Sequence, residues 1–220
     1  MEKKYNFEDE WKARKVFEIF HQKQNSTFAF KNNSNYSKFL RASRNKTNNE
    51  VVIKITSSSK NFNLLKSHIN YISRQGNIEL VDSDYNLYSN KDEIKDACKN
   101  FNSVYKIPTQ NEIINFRQKE KRETYNIVFS MKEHSLAPVN KIRIAAINTI
   151  KKKYPDNYFV IAMHNDTDNP HCHLCLKSVN KNGKRVNIKK ADLNELRKNF
   201  AIELRKLNIE ATATIRKNKY

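Results

Sequence analysis

The stretch from Phe159 to Leu176 constrains the fold more than any other part of the chain. It reads FVIAMH, then a polar run NDTDNP, then HCHLCL. Asp166, Thr167, Asp168 and Asn169 are turn formers, and Pro170 pushes Asn169 towards extended backbone. The segment therefore predicts two strands, 158–164 and 171–179, joined by a short loop. Side chains alternate across a strand. Phe159, Ile161 and Met163 on one arm, and Cys172, Leu174 and Leu176 on the other, share an apolar face that belongs in a core. His164, His171 and His173 then fall together on the opposite face. A slip of one residue would turn half of the apolar set into water, so any register that keeps the core also gathers the three imidazoles.

Three imidazoles on one face suit a divalent metal with open coordination positions, which is the pattern of a catalytic site. Asp166 and Asp168 sit in the loop, where they can orient imidazole N–H groups. Cys172 and Cys175 have the spacing of a zinc knuckle, but parity sends their thiols to opposite faces, and Cys98 stands alone. By ligand type, imidazoles suit Zn, Mn, Ni or Co better than Mg.

The rest of the chain supplies a frame. Strands are expected over 51–56 and 125–131. Helices are expected over 61–75, where Gly76 provides the stop, over 141–153, before Pro155, and over 192–207. Residues 77–122 are ambiguous, with helices over 92–101 and 109–120. Asn182-Gly183 signals a hairpin between 177–180 and 185–188, and 211–216 reads as a last strand. The sum is an α/β (α+β) sandwich, a mainly antiparallel sheet with helices packed on it. Residues 1–49 read as a partly helical appendage, 50–216 as the domain and 217–220 as a tail.

Charge sets the class of partner. Lys and Arg number 42 against 23 Asp and Glu, a net charge of +19. Such an excess opposes folding by self-repulsion and points to a polyanion, most simply nucleic acid. The two glycines exclude phosphate-cradling glycine-rich loops, which need several. Three cysteines are too few for a disulfide scaffold and fit a reducing cytoplasm. Neither a signal-peptide core nor a long apolar run is present, so no membrane insertion is expected. A monomer is expected.

These residues resemble a family. His164-x-Asp166 followed by His171-x-His173 resembles the three-histidine motif of HUH single-strand endonucleases, in the arrangement of conjugative and mobilisation relaxases. Residues 69–76, INYISRQG, are similar to the active-tyrosine segment of the P-type mobilisation class, and the chain is similar to the T-DNA border relaxase of plant-transforming bacteria. Residues 126–130, NIVFS, are similar to the middle motif, where a serine ends a strand. The likeness covers 51–215. Tyr71 precedes the histidines, as in relaxases; in rolling-circle replication initiators the tyrosine typically follows them. The family often has Asn four residues after the last histidine, where this chain has Lys177.

The resemblance implies an HUH relaxase-like fold and metal-dependent, strand-specific nicking of origin-of-transfer DNA. Tyr71 would be the nucleophile and would form a 5′-phosphotyrosyl link. His164, His171 and His173 would hold Mg2+ or Mn2+, with Zn2+ as the alternative. Asp166 and Asp168 would assist. Arg74, Ser130, Lys177 and Arg185 would contact DNA, with Lys181, Lys184, Lys189 and Lys190 along the strand. The implied partners are single-stranded origin-of-transfer DNA, accessory DNA-binding proteins and a type IV secretion coupling protein. Relatives of this class often carry a further C-terminal region, which these 220 residues do not include. The competing readings are an HUH replication initiator or transposase, a basic DNA-binding module with structural zinc, and a metal hydrolase with a water nucleophile.

Overall fold

The computed structural model describes residues 49–103, 105–131, 139–165 and 171–214. The expected appendage, apart from Asn49, and the tail lie outside the described residues. In chain order the elements are β1 (Val51–Ser57), α1 (Phe62–Ile72), a 3-10 turn (Arg74–Gly76), β2 (Leu80–Asp82), β3 (Leu87–Tyr88), α2 (Lys91–Phe101), α3 (Gln110–Asn115), β4 (Thr124–Met131), α4 (Val139–Lys153), β5 (Phe159–His164), β6 (His171–Lys177) and α5 (Lys190–Lys206). The strands form one sheet in the order β1-β4-β6-β5-β2-β3. Every neighbouring pair is antiparallel. The expected α/β sandwich is the fold observed.

Parity along the central hairpin holds as the pattern dictates. His164 pairs with His171, Met163 with Cys172, and Ile161 with Leu174. The apolar set from 159 to 176 joins α4 and α5 in one core, with Ile147, Ile150, Phe200 and Leu204 contributed by the helices. Cys172 lies in this core and Cys175 in the opposite one, so the C-x-x-C spacing holds no shared metal. Burial pushes both thiols up to about 12.

The opposite face is also covered, which the strand pattern does not reveal. Leu65, Ile69 and Ile72 of α1, with Ile94 and Phe101 of α2, pack on Val160, Ala162 and Cys175. Asn61 caps α1 by accepting from the Leu64 N–H, and Asn90 caps α2 in the same way from Asp92 and Glu93. The ambiguous region 77–122 thus contains two short strands besides its helices. β2 and β3 span three and two residues, too few for a period-2 signal to show.

Among the described residues, which include 211–214 but not 215–216, two expected strands shrink to single bridges. Val179 pairs with Arg185 alone, and Thr212 pairs in parallel with Glu50 alone. At 180–184 the Asn180 side chain accepts from the Asn182 and Lys184 N–H groups, so local turn bonds replace a ladder.

Candidate active site

The site is built where α1 ends above the hairpin. β5 closes on His164 and β6 opens on His171, directly opposite each other. His173 is two residues along β6 and points the same way. One ring nitrogen from each lies within 4.8 Å of the others, the one such group of three found among the described residues. The Nε2 atoms of His171 and His173 are 3.0 Å apart. Two nitrogens bound to one ion at about 2.0–2.1 Å sit roughly 2.8–3.4 Å apart at right or near-tetrahedral angles.

His164 is 0% exposed, and its Nε2 donates to the Ile72 carbonyl at 2.7 Å. A carbonyl oxygen only accepts, so Nε2 carries the hydrogen and Nδ1 presents its lone pair. The end of α1 therefore sets the tautomer of an imidazole on β5. Burial, with the neighbouring His164 and His171 next in weight, pushes His173 down to about 3. A His173 imidazole that resists protonation keeps its lone pair for a metal, and three converging ring nitrogens fit a divalent ion.

Tyr71 stands one residue before Ile72 and is 55% exposed. Its ring meets His173 edge-on, with centroids 5.9 Å apart. Arg74 reaches back from the 3-10 turn. Its guanidinium lies 5.3 Å from the centre of the Tyr71 ring, and Nη2 is 3.4 Å from His164 Nδ1. The backbone bends sharply to allow this. Arg74, Gln75 and Gly76 all have positive φ, at 49°, 58° and 92°. A Cβ at Gly76 would come within 2.7 Å of the backbone at the start of α2, so this position needs glycine. Left-handed backbone at non-glycine residues costs about 1–3 kcal/mol each and collects at functional sites. Ser130 on β4 pairs with His171 and so shares its face.

The structure thus brings together Tyr71, Arg74, Ser130, His164, His171 and His173. Asp166 and Asp168 lie outside the described residues. Lys177 and Arg185 do not join this cluster, and the charge of each has a partner within the protein. Lys177 is 3% exposed, at the far end of β6, and its ammonium donates to the Phe101 carbonyl at 2.6 Å. It caps the C-terminus of α2, where a cation is favoured. Arg185 spends its guanidinium on both Glu123 carboxylate oxygens, Ser178 and the Arg122 carbonyl.

Sequence reasoning missed two participants. His68, one helical turn before Tyr71, stacks near its ring with centroids 6.4 Å apart. Its Nε2 is buried without a hydrogen-bond partner, and burial pushes it down to about 4. The i,i+3 spacing to Tyr71 was the available signal. The second is the Ile72 carbonyl, a backbone atom that no side-chain motif announces.

Comparison with curated proteins finds no match. The family model for the relaxase, MobA/VirD2-like, nuclease domain matches residues 71–207, more than half of the chain. It begins on the exposed tyrosine and takes in the whole histidine cluster, and the chain belongs to this family of DNA-nicking relaxases.

Proposed function

We propose that this relaxase nicks one strand of origin-of-transfer DNA during plasmid mobilisation or conjugation, by direct attack of Tyr71 on the scissile phosphate. The observation that carries the reading is the exposed Tyr71 ring set against His173, on the one face where three imidazoles converge. The P-type mobilisation class fits the order of tyrosine before histidines.

His164, His171 and His173 would hold a divalent metal, Mg2+ or Mn2+, with Zn2+ allowed by ligand type. When bound, the ion supplies charge neutralisation for the phosphate oxygens. The Ile72 carbonyl keeps His164 in the tautomer that offers Nδ1. Asp166 and Asp168 are assigned to steadying the imidazoles from the loop. Arg74 holds a positive charge beside the phenol, where it stabilises negative charge as the proton leaves and helps grip the phosphate. Ser130 is assigned a hydrogen bond to the DNA backbone.

In the step itself a Tyr71 Oη–P bond forms and the P–O3′ bond breaks. The phenolic proton is lost, the 3′ oxygen gains one, and the 5′ phosphate stays on Tyr71. One phosphodiester replaces another, so the strand can be rejoined by the reverse attack.

The test uses end-labelled single strands from the parent replicon with Mn2+, run on denaturing gels beside Tyr71→Phe and a chelated control. Label that stays with the protein and vanishes in both controls is the expected result. Cleavage that survives Tyr71→Phe would overturn the proposal in favour of a water nucleophile.

A further inference from the structure

The geometry points to a second DNA contact at the far end of the sheet, a basic and aromatic platform over residues 114–122 that grips the same single strand about 20 Å from the imidazoles. It rests on the reading above only in taking single-stranded DNA as the ligand.

The first observation is exposure. Residues 114–122 are all exposed. Phe116 is 71% exposed and Ile114 63%, the highest values among the exposed large hydrophobics described. Neither belongs to a core. Their presentation is fixed by backbone: Arg117 takes a φ of 48°, and the Arg117 and Gln118 N–H groups bond back to the Ile114 and Ile113 carbonyls. A largely exposed phenyl ring held on an ordered turn is a stacking platform without its partner.

The second observation is charge. Arg117, Lys119 and Lys121 make no described ion pair, whereas Lys60 pairs with Glu120 and Arg185 with Glu123. Lys119 and Lys121 line a shallow pocket with Lys60, Pro108 and Ile113. Cations without a described ion pair, close in sequence to an exposed aromatic ring, match a ligand with phosphates and flat bases. An apolar protein partner would leave the lysines unanswered.

The third observation is position. Asn61, the cap of α1, donates to Gln110 at the start of α3, and the Phe62 N–H donates to the Pro108 carbonyl. The platform therefore sits at the N-terminal end of α1, whose C-terminal end carries Tyr71. Between the two, Lys54 of β1 pairs with Val128, which pairs with His173, so all three share the imidazole face. Lys54 and Thr56 are exposed there. Six steps along β4, from Thr124 to Ser130, separate the two ends, roughly 20 Å at about 3.3 Å per step. A stacked strand covers that in about six nucleotides at ~3.4 Å each.

Length-dependent binding tests this. Fluorescence anisotropy is read with single strands from 5 to 20 nucleotides, for wild type, Phe116→Ala and Lys119→Ala/Lys121→Ala. Wild type is expected to gain affinity once strands exceed about six nucleotides beyond the site. Phe116→Ala should lose about tenfold on long strands and nothing on the shortest. The double lysine variant should lower the log–log salt slope by about 1.4. Phe116→Trp in a Trp11→Phe background gives a direct reading, because base stacking quenches the new indole with long strands only. Equal binding of long strands by all variants would overturn the platform and leave the apolar pair to a protein partner. These readouts need no nicking, so they stand or fall apart from the Tyr71 adduct.

Discussion

The two faces of the β5–β6 hairpin start from the same alternating pattern and end in opposite uses. On one, Phe159, Ile161, Met163, Cys172, Leu174 and Leu176 are all buried against α4 and α5. On the other, the residues change along the strand: His171, His173, Cys175, Lys177. Cys175 is sealed under α1 and α2, while His171 and His173 are only partly covered. The apolar face secures register; the graded face uses that register to bring three imidazoles together. One rule of parity therefore sets both the core and the site, and a change on either face should be felt on that face alone.

The largest separation should come from His173→Ala. Removing one of three ligands is expected to weaken Mn2+ binding by about 100-fold or more, read by titration calorimetry, while the melting temperature of the chelated protein stays near wild type. Unchanged Mn2+ affinity would remove the imidazole cluster as the metal site. One residue further, Leu174→Ala should do the reverse. It is 0% exposed and should cost about 2–5 kcal/mol in denaturant unfolding, with Mn2+ affinity retained wherever the protein is folded. Loss of both properties together would show that the two faces are not separable.

The hairpin was legible because period-2 alternation, a turn run and a proline coincide within eighteen residues. The sites of failure have physical causes. β2 and β3 are too short to show a period, and β5, the strand that ties them to the sheet, is distant in sequence. The second core face was hidden because α1 and α2 cover only part of it. The cations are hard to read for a different reason. Lys177 and Arg185 look like any other basic residue in a chain of net charge +19, and only tertiary partners reveal that one caps a helix and the other answers Glu123. Tyr71 and Arg74 stand out through the motif company they keep; His68 has no motif to mark it.

His68→Phe sharpens the comparison at the boundary between the faces, since it keeps a ring beside Tyr71 and removes the buried nitrogen. The native imidazole is held down to about 4 by burial, against about 6.5 in an unfolded chain. Between those values the unfolded state binds the extra proton, so wild-type stability is complete above pH 6.5 and falls as pH drops towards 4. The difference in unfolding free energy between wild type and His68→Phe should therefore vary across that window and flatten above it. A difference independent of pH would mean that the imidazole is not buried as described.

The smallest effect is expected at Lys177, and it tests whether charge on the graded face belongs to the fold once it passes Cys175. Lys177→Met removes a buried ammonium and its bond to the Phe101 carbonyl. The lost hydrogen bond costs about 1 kcal/mol, and relief from desolvating the ammonium offsets part of it. Burial holds the lysine down to about 8, partly opposed by Glu123, whereas an unfolded lysine ionises near 10.5. Between pH 8 and 10.5 the unfolded state binds more protons, so this group makes wild-type stability rise with pH, and the rise should be absent in Lys177→Met. Single-strand affinity and its salt slope should match wild type. A fall in both would return Lys177 to the DNA interface, and the helix-capping bond would then be a resting position of a side chain that leaves it to meet phosphate.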